Sequence, residues 1–542
     1  MSGIKLAKYD FRSKQDYIYK TNKVKEIVGA SEIITRAYYD FFEALDKKGI
    51  FADYALAVKG ECPHDMPCAF DNGLVLRYIN NPDCTFHTDI WETQDETVPG
   101  GKKQLSGKVI YIGGGNLYML WKGEQAAMEA SGVLCRMLRE KAYSLSAVCG
   151  MADYTGDYSK DMKALNIDFE RCKVLAPPFI PCAMLPFTEM DRRTSLPIAH
   201  KSVEPKAQEY MIGEESISRE SLLKRIQYHK THGNRRELMD DMVTGKGRES
   251  LLAVIYIDGN NMGVRIRNKM NPDGKTITDY STGVREIRRL SNAIQNSFVT
   301  KPRDAINDRI YEALKEKKYG SVDIASEQMS ELRNEADKRV RWIVSGGDEI
   351  TLVCNARDVL LILEAYFKEL TSGNADRPPE GKNTACAGVA VFHSHFPFSK
   401  AYEIAEECCE SAKEKNRMNG SGNCIVDFQY IYSGVTGDLE LMRRPEKDKL
   451  ARPYLIAGAA SGVPSMKEDF IKRADRLRAI GRANLKTLSA KLFDGDKEYH
   501  FEIERLNAQY PSVRLKANEA EDKRFVLDIA QFYDIWFSKE AE

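Results

Sequence analysis

The sequence lacks the features that define several broad classes of protein. Its 542 residues carry 80 Lys plus Arg and 80 Asp plus Glu, so the chain has no net charge with which to attract nucleic acid in bulk. The N-terminus, MSGIKLAKYD, has no apolar signal-peptide core, and no apolar run is long enough to span a bilayer. The twelve cysteines include no C-x-x-C pair, and no Walker G-x-x-x-x-G-K-[ST] motif is present. We therefore expect a cytoplasmic protein with reduced thiols, no membrane partner and no P-loop.

Carboxylates stand at the ends of strand-like runs in the second half of the chain. Asp258 ends LLAVIYID, whose apolar and β-branched residues predict a buried strand. Gly346-Gly347-Asp348-Glu349 lies between RWIVS and ITLVCN, which predicts the turn of a β-hairpin. Three carboxylates at two strand ends suit a divalent metal beside a triphosphate and therefore indicate nucleotidyl transfer. A lone G-G-D-E is also a common plain turn, and that alternative stays open.

The two halves of the sequence repeat one pattern. IKLAKYD ends with Asp10 much as LLAVIYID ends with Asp258, and KVIYIGGGNLYML parallels VRWIVSGGDEITLV. Each copy has a helical segment before its hairpin and a further strand after it, which is the β-α-β-β-α-β order of a ferredoxin-like domain. The first copy has Gly113-Gly114-Gly115-Asn116 in place of the acids, and an amide is a poor ligand for Mg²⁺. We predict that this copy holds no two-metal centre, although it can shape a nucleotide pocket.

The predicted fold class is α+β, with two ferredoxin-like domains at 1–170 and 246–435. Residues 171–245 form a connector in which ESISRESLLKRIQYHKTH predicts a helix, and the charge of this region predicts a surface position. Residues 436–542 are predicted to form a mostly helical domain. One apolar stripe of its first helical segment comprises Phe470, Ala474, Leu477 and Leu488. A basic face, comprising Arg478, Arg482 and Lys486, is either a solvated surface or a contact for RNA or a partner protein.

Five segments resemble the large palm-domain subunit of type III CRISPR effector complexes, a relative of GGDEF diguanylate cyclases. They are YIDGNNMG, SGGDEI, AGVAVFHSHFPFSKAYEIAEECCESAKEKNR, DFRSKQDYIYKTNKVKEIVGASEI and YIGGGNLYML, in the family's order over roughly residues 1–435. The resemblance implies that ATP molecules are joined into cyclic oligoadenylates with loss of pyrophosphate, in antiviral defence. It also implies two Mg²⁺ or Mn²⁺ ions as cofactors, and other subunits with guide and target RNA as partners.

The resemblance assigns roles to individual residues of this chain. Asp258, Asp348 and Glu349 match the metal-binding acids. The residues expected on the nucleotide side are Gly259, Asn260, Asn261, Met262, Gly263, Gly346, Gly347, Lys413 and Ser31. Backbone N–H groups of the segment after Asp258 suit a triphosphate. Lys413 matches a lysine that meets phosphate, and Ser31 belongs to a small first-palm motif beside a second ATP.

The sequence departs from the family's pattern in three places. The family often carries an N-terminal HD nuclease domain, whereas this sequence begins directly with the palm-like pattern. Its only HD pair, His64-Asp65, lies within the first palm, so we expect no nuclease activity on DNA. The zinc ribbon between the palms is reduced to Cys172 and Cys182, so we expect no structural zinc. The tetrad ends in Glu349, where the family more often has Asp, which leaves the role of that residue less defined.

Other candidates and rival functions remain beside this hypothesis. Cys62, His64 and Cys68 are either soft metal ligands or loop residues, and His393 with His395 either bind metal or pack at a strand end. Arg285, Arg288 and Arg289 either reach ATP phosphates or form a solvated face. The protein as a whole is either a cyclase within a guide-RNA complex, a non-catalytic palm-fold scaffold of such a complex, or a signalling cyclase that works without guide RNA.

Overall fold

The structure of the protein is a computed structural model that describes most of the chain. The described residues are 3–50, 52–53, 80–83, 85–94, 102–175, 188–201, 210, 215–233, 242, 250–320, 325–373, 382–420, 422–432, 437–515 and 520–537. The candidates Cys62, His64, Asp65, Cys68 and Cys182 lie outside them. The chain forms two compact units, Met1–Glu237 with Gly263–Asn296 and Leu238–Met262 with Ser297–Glu542.

The first unit contains nine strands and the first helices of the chain, counted over the described residues. The strands are β1 Lys5–Arg12, β2 Ala52–Asp53, β3 Glu92–Gln94, β4 Lys102–Gln104, β5 Gly107–Gly113, β6 Asn116–Trp121, β7 Ser146–Asp153, β8 Ile198–Lys201 and β9 Ser216–Ser218. The helices are α1 Lys14–Ile18, α2 Val24–Asp46, α3 Glu124–Lys141, α4 Tyr158–Leu175, α5 Arg219–His232, α6 Met262–Met270 and α7 Tyr280–Ile294, with a 3-10 turn at Pro272–Gly274.

The main sheet of the first unit has the ferredoxin-like arrangement that the repeat predicts. Its five strands lie in the order β2-β5-β6-β1-β7, and β1 is antiparallel to both β6 and β7. The chain runs β1, α2, β5, β6, α3, β7, which is the split β-α-β order. Along β1, Ala7, Tyr9 and Phe11 alternate as buried residues, as a strand with one packed face requires. The prediction of a first palm-like fold is confirmed.

The connector helix α5 buries one of its charged faces, whereas its charge predicted a surface position. Glu220, Lys224 and Arg225 are each at most 1% exposed. Lys224 Nζ donates to the backbone oxygen of Tyr17 at 2.6 Å and lies 2.8 Å from Glu220 Oε1, and Arg225 Nη2 lies 2.7 Å from Glu26 Oε1. Buried charges persist where opposite charges and hydrogen bonds surround them. The helix itself was predicted correctly, but the burial of these charged side chains was not expected.

Helix α7 follows the first strand of the second palm in the chain but packs within the first unit. The side chain of Arg288 is 6% exposed, and its Nε and Nη2 donate to the backbone oxygens of Ile110 and Val109 at 2.8 and 3.0 Å. The Asn80 side chain donates to the Ile112 oxygen at 2.7 Å and accepts from the Ile112 N–H at 3.0 Å. Side chains therefore satisfy the outer edge of β5 beyond the short strand β2.

The sequence left two roles open for the three arginines of α7, and the three residues do not share a single role. Arg288 is a buried structural residue, so it is neither a solvated side chain nor a phosphate ligand. Arg285 and Arg289 are 46% and 51% exposed and lie near Glu286, at 3.7 and 3.0 Å. Only these two belong to a solvated face.

The second unit contains six strands and the remaining helices of the described residues. The strands are β10 Leu251–Gly259, β11 Val340–Gly346, β12 Glu349–Asn355, β13 Ala385–His393, β14 Cys424–Tyr430 and β15 Tyr454–Ala457. The α-helices are α8 Lys301–Tyr319, α9 Ser326–Arg339, α10 Val359–Leu370, α11 Phe398–Met418, α12 Leu439–Arg443, α13 Lys472–Leu477, α14 Arg482–Asp494, α15 Asp496–Gln509 and α16 Ala520–Phe532. Segments of π-helix span Gln295–Thr300, Met466–Ile471 and Tyr533–Phe537, and 3-10 turns span Ala356–Asp358, Lys447–Lys449 and Arg478–Ile480.

The second sheet repeats the arrangement of the first. Its order is β11-β12-β10-β13-β14-β15, so its first four strands correspond to β5-β6-β1-β7. Both hairpins contain a register shift, which ends at Tyr111 in β5 and at Val344 in β11. The first glycine of each turn, Gly113 or Gly346, follows two residues later. The internal repeat therefore extends to the position of a β-bulge, and the prediction of two palm-like folds is confirmed.

The C-terminal helices pack on the second palm. The Trp536 Nε1 donates to the backbone oxygen of Ala356 at 2.9 Å. The residues of the predicted apolar stripe are all buried: Phe470, Ala474, Leu477 and Leu488. The single helix expected there is interrupted, because Gly481 has a φ of 78° and separates the 3-10 turn from α14. Left-handed backbone ends a helix, and glycine adopts it without strain.

The basic face of this segment is largely occupied by ion pairs. Lys486 Nζ and Arg482 Nη2 lie 2.6 and 2.9 Å from the carboxylate of Asp534. Arg478 Nη1 lies 3.8 Å from Asp475. Lys486 and Arg482 therefore tie α14 to the C-terminal segment, which favours a structural role for them over an RNA contact.

The described cysteines are free thiols, as expected. Cys172 Sγ lies 3.6 Å from a carboxylate oxygen of Asp168. Because Cys182 lies outside the described residues, the reduced zinc ribbon stays a prediction. In the part of the chain that the structure describes, no helix is both long and apolar enough to cross a membrane.

Candidate functional site

The strand-end aspartate and the glycine-rich hairpin meet in the second palm. Strands β10 and β12 are antiparallel neighbours, and their register pairs Asp258 directly with Glu349. Gly346 pairs with Glu349 across the hairpin, and Gly347 has a φ of 68°. That left-handed conformation favours glycine, which explains its place in the turn. The structure thus brings together acids that are 348 − 258 = 90 residues apart in the sequence.

Gly259 allows the hairpin to approach the end of β10 closely. Its N–H donates to the backbone oxygen of Asp348 at 3.2 Å. A Cβ atom at this position would lie 2.8 Å from the Asp348 Cβ and 2.7 Å from the Met262 Cε. A side chain would therefore push the carboxylate of Asp348 away from the end of the strand.

The three acids share one electrostatic environment. The pKa of Asp348 is raised to about 6, first by burial and then by the charge of Asp258, with a smaller contribution from Glu349. The pKa of the Tyr256 hydroxyl is also raised, by burial and then by the charges of Glu349 and Asp258. The charge of Lys413 acts on the pKa of Asp348 in the opposite direction. Asp348 and Tyr256 therefore both respond to the charges of the neighbouring acids.

Lys413 reaches the site from α11 and contacts Asp258. Its Nζ donates to the Asp258 Oδ2, and the two side chains are 19% and 28% exposed. Burial disfavours the charged lysine, but the bond to Asp258 outweighs it and raises the pKa of Lys413. The sequence predicted that this lysine meets phosphate. In the structure it pairs with the strand-end acid.

The segment after Asp258 is anchored by its first asparagine. The Asn260 N–H donates to the Thr384 oxygen at 2.9 Å, and its side-chain amide donates to the Asn423 oxygen at 2.9 Å. Asn261 has a φ of 57°, and α6 begins at Met262. Asn260 thus links the end of β10 to the segments preceding β13 and β14. Its side chain organises the loop, whereas the sequence predicted a position facing phosphate.

The donor set fits a hard divalent cation, although the side chains of these neighbouring acids are not arranged around a common point in this structure. Among the described residues, no group of three or more His, Cys, Asp or Glu side chains is arranged to hold a metal. The carboxylate of Asp258 is instead paired with Lys413. All three acids offer oxygen ligands, and the pKa of Asp348 is raised first by burial and then by the charge of Asp258, the kind of charge that a divalent cation would neutralise. The residues therefore suit Mg²⁺ or Mn²⁺, and their role as ligands remains a prediction.

The first palm has a counterpart of this site whose hairpin turn carries no acids. The β1–β6 register pairs Tyr9 with Leu117. One residue further along, it sets Asp10 opposite Asn116, as Asp258 stands opposite Glu349. Lys14 Nζ donates to the Asp10 Oδ1 at 2.7 Å, and a Cβ on Gly115 would lie 2.5 Å from that ammonium. The ammonium of Lys14 therefore occupies the space in which an acidic side chain of the hairpin would begin.

Two residues of the first-palm site were missed in the sequence. Lys14 follows Asp10 by four residues, a spacing that could have indicated the pair. The Tyr38 hydroxyl lies 2.9 Å from the backbone oxygen of Gly115, and only the fold brings these residues together. Ser31 lies on α2 with Tyr38, and its backbone oxygen accepts from the Thr35 hydroxyl at 2.9 Å.

The histidine pair at the end of β13 lies in an exposed turn. The rings of His393 and His395 are 5.3 Å apart. The backbone N–H of His395 donates to the His393 Nδ1 at 3.3 Å. One ring nitrogen of His393 is therefore engaged within the turn, and among the described residues the pair belongs to no group of side chains arranged to hold a metal.

Comparison with known families identifies the second palm. Residues 251–420 match the family model described as Cas10/Cmr2, second palm domain. This segment contains β10, the G-G-D-E hairpin and Lys413. The resemblance to palm-domain subunits is therefore confirmed for it. No curated protein sequence matched the chain.

Solved structures with a similar fold have little sequence identity to the chain. Csm1 of T. onnurineus has a TM-score of 0.47 at 11% identity, covering 98% of this chain and 70% of that chain. A Csm1–Csm4 cassette in complex with pppApA has a TM-score of 0.46 at 12% identity, covering 98% and 69%. The cassette in complex with cA3 has a TM-score of 0.45 at 12% identity, covering 97% and 69%. With TM-scores below 0.5, these likenesses carry no functional argument.

Proposed function

The chain contains a second palm domain of the Cas10/Cmr2 family, and from this premise we propose that it is a metal-dependent nucleotidyltransferase that joins nucleotides with release of pyrophosphate. The observation that carries the proposal is the direct pairing of Asp258 with Glu349, with Asp348 packed against Gly259. A hairpin turn with no function would not need three carboxylates whose charges disturb one another.

Asp258, Asp348 and Glu349 are the residues that would hold two Mg²⁺ or Mn²⁺ ions. Such ions, when bound, lower the pKa of a ribose hydroxyl and neutralise a leaving pyrophosphate. In the proposed reaction the ribose oxygen bonds to the α-phosphorus of ATP, the bond to the β-phosphate breaks, and the hydroxyl proton is released.

The other residues of the site bind and orient the nucleotide. A Cβ at Gly346 would meet no atom within 4 Å, so the turn leaves room for a phosphate. Lys413 pairs with Asp258 in the free protein, and we propose that its ammonium transfers to a phosphate when nucleotide binds. The first palm seats a second nucleotide without a metal, because Lys14 already places a positive charge beside Asp10. Ser31 is proposed to line that pocket.

The family supplies the finer parts of the proposal. ATP as substrate, cyclic oligoadenylates as products, and a complex with other type III CRISPR subunits and guide RNA in antiviral defence are inferred from it. A non-catalytic scaffold is the second candidate, and one observation favours it: the Asp258 carboxylate is already paired with Lys413. A third candidate is a cyclase that works without guide RNA. If it is correct, neither RNA nor partner subunits should copurify with the protein.

A direct assay tests the enzymatic proposal. The purified protein is incubated with ATP and Mg²⁺ or Mn²⁺, with and without candidate RNA, and products are analysed by mass spectrometry alongside pyrophosphate release. We expect Asp348→Ala to lower the rate of pyrophosphate release at least about a hundredfold, because it removes a proposed ligand of the divalent metal ions. Asp308→Ala, at a 67% exposed side chain on α8, is the matched control and should retain activity. Absence of pyrophosphate release by the wild type under every condition supports the scaffold instead.

A further inference from the structure

One partly buried arginine near the hairpin has a guanidinium nitrogen without a hydrogen-bond partner. Arg303 lies in the first turn of α8, directly after the π segment Gln295–Thr300. Its Nε is buried and unpaired, and among the described residues no carboxylate forms an ion pair with Arg303. Burial lowers the pKa of its guanidinium, and the charge of the adjacent Asp304 opposes that shift. A buried donor without a partner costs free energy, which a bound ligand can recover.

The surroundings of Arg303 hold the guanidinium beside the G-G-D-E turn. Its Nη2 donates to the hydroxyl of Ser345 at 3.0 Å, and Ser345 directly precedes Gly346. The guanidinium carbon lies 4.6 Å from the ring centroid of Trp342. Both partners are on β11, the edge strand of the sheet. A hydroxyl and an aromatic face orient the arginine without neutralising its charge.

The turn that follows Ser345 is open. A Cβ atom on Gly346 would meet no atom within 4 Å, and Gly346 is exposed. A purely structural arginine at a strand edge would instead donate to backbone oxygens, as Arg288 does in the first palm. A bound anion would give this guanidinium a counter-charge and a hydrogen-bond acceptor, and the planar guanidinium matches a phosphate group.

We propose that Arg303, oriented by Ser345 and Trp342, binds a phosphate group of the nucleotide held at the second palm. The inference rests on the proposed function, because it takes the nucleotide from there. It adds a phosphate-binding residue outside the resembling motifs, on α8 beside β11.

Trp342 provides a direct test, because a ligand on Arg303 alters the environment of its indole. ATP, adenosine and inorganic phosphate are titrated against the whole protein while tryptophan fluorescence is recorded, and Trp342→Phe identifies the signal. We expect ATP to change the emission of the wild type, and Arg303→Gln to weaken ATP binding about ten- to a hundredfold. Arg303→Lys should recover part of the affinity. Arg309→Gln, at an exposed arginine on the same helix, is the matched control and should bind as the wild type does.

The outcomes separate this inference from the proposed function. If ATP binds to the wild type and to Arg303→Gln with equal affinity, by fluorescence and by calorimetry, the inference is wrong and the function stands. If adenosine binds as tightly as ATP and loses the same factor in the variant, the arginine contacts the nucleoside and the phosphate assignment is wrong. If the wild type binds no nucleotide, the proposed function fails first. Unchanged thermal unfolding of Arg303→Gln, with weakened ATP binding, supports a ligand role over a structural one.

Discussion

Replacing Lys413 with methionine should strengthen metal binding while it weakens catalysis. In the free protein the Lys413 ammonium donates to the carboxylate of Asp258, which is a proposed metal ligand. A divalent cation must displace this ammonium before it can use that oxygen. Methionine keeps most of the side-chain volume and removes the competing charge, so the cation binds without this cost.

The size of the effect follows from the contact. A hydrogen bond between charged groups contributes about 1.5–3 kcal/mol, which corresponds to about ten- to a hundredfold in affinity. The two side chains are 19% and 28% exposed, so solvent screens part of the attraction. We therefore expect Mn²⁺ to bind about tenfold more tightly to Lys413→Met in the absence of nucleotide.

The measurement is a Mn²⁺ titration of nucleotide-free protein, with free Mn²⁺ followed by electron paramagnetic resonance. Lys415→Met, on the same helix α11, controls for the change in net charge. Pyrophosphate release by Lys413→Met should fall, because the ammonium is also proposed to contact phosphate. Mn²⁺ affinity that is unchanged, or that rises equally in Lys415→Met, would refute the competition between lysine and metal.

Two further predictions concern stability. A Cβ on Gly29 would overlap the backbone oxygen of Lys224, so Gly29→Ala should lower the free energy of unfolding by about 1–3 kcal/mol in urea titrations. Gly132→Ala, on α3 with no atom within 4 Å, should instead raise it by up to about 1 kcal/mol, and equal effects would contradict the close approach. Burial opposes ionisation of Asp427, but Arg443 outweighs it and lowers the pKa of that carboxyl, with two contacts of 2.8 Å. Its contribution to stability is therefore complete above the unfolded pKa of about 3.9 and is lost as pH falls through the lower folded pKa. The difference in urea midpoint between wild type and Asp427→Asn should narrow below about pH 4, and a constant difference from pH 7 to 3 would show that the ion pair is not responsible.

Local patterns were sufficient to locate the acidic site. Strand periodicity identified the run that ends at Asp258, and the glycines identified the turn that carries Asp348 and Glu349. The repeat then predicted the pairing of strands, because a split β-α-β unit sets its first strand beside its hairpin. Lys14 was missed although it lies only four residues after Asp10, whereas Arg303 could not be found because its contact is with Ser345, 42 residues away.

Charge was the property that sequence patterns interpreted least well. Lys224 and Arg225 looked like surface residues but are buried against Glu220 and Glu26. Arg288 looked like a phosphate ligand or a solvated side chain but satisfies backbone oxygens at a sheet edge. A charged residue in a sequence carries no information about which distant group will neutralise it.

The sequence by itself determined the strands, the two hairpins, the duplication and the difference between an acidic and a non-acidic copy. Those features depend on side-chain periodicity and on glycine conformation, which act over a few residues. Only the tertiary structure decided that Lys413 already contacts Asp258 and that α7, which follows β10 in the chain, packs within the first unit. The reason is physical: the energy of a charge is set by everything within several ångströms of it, and most of those neighbours are distant in the chain.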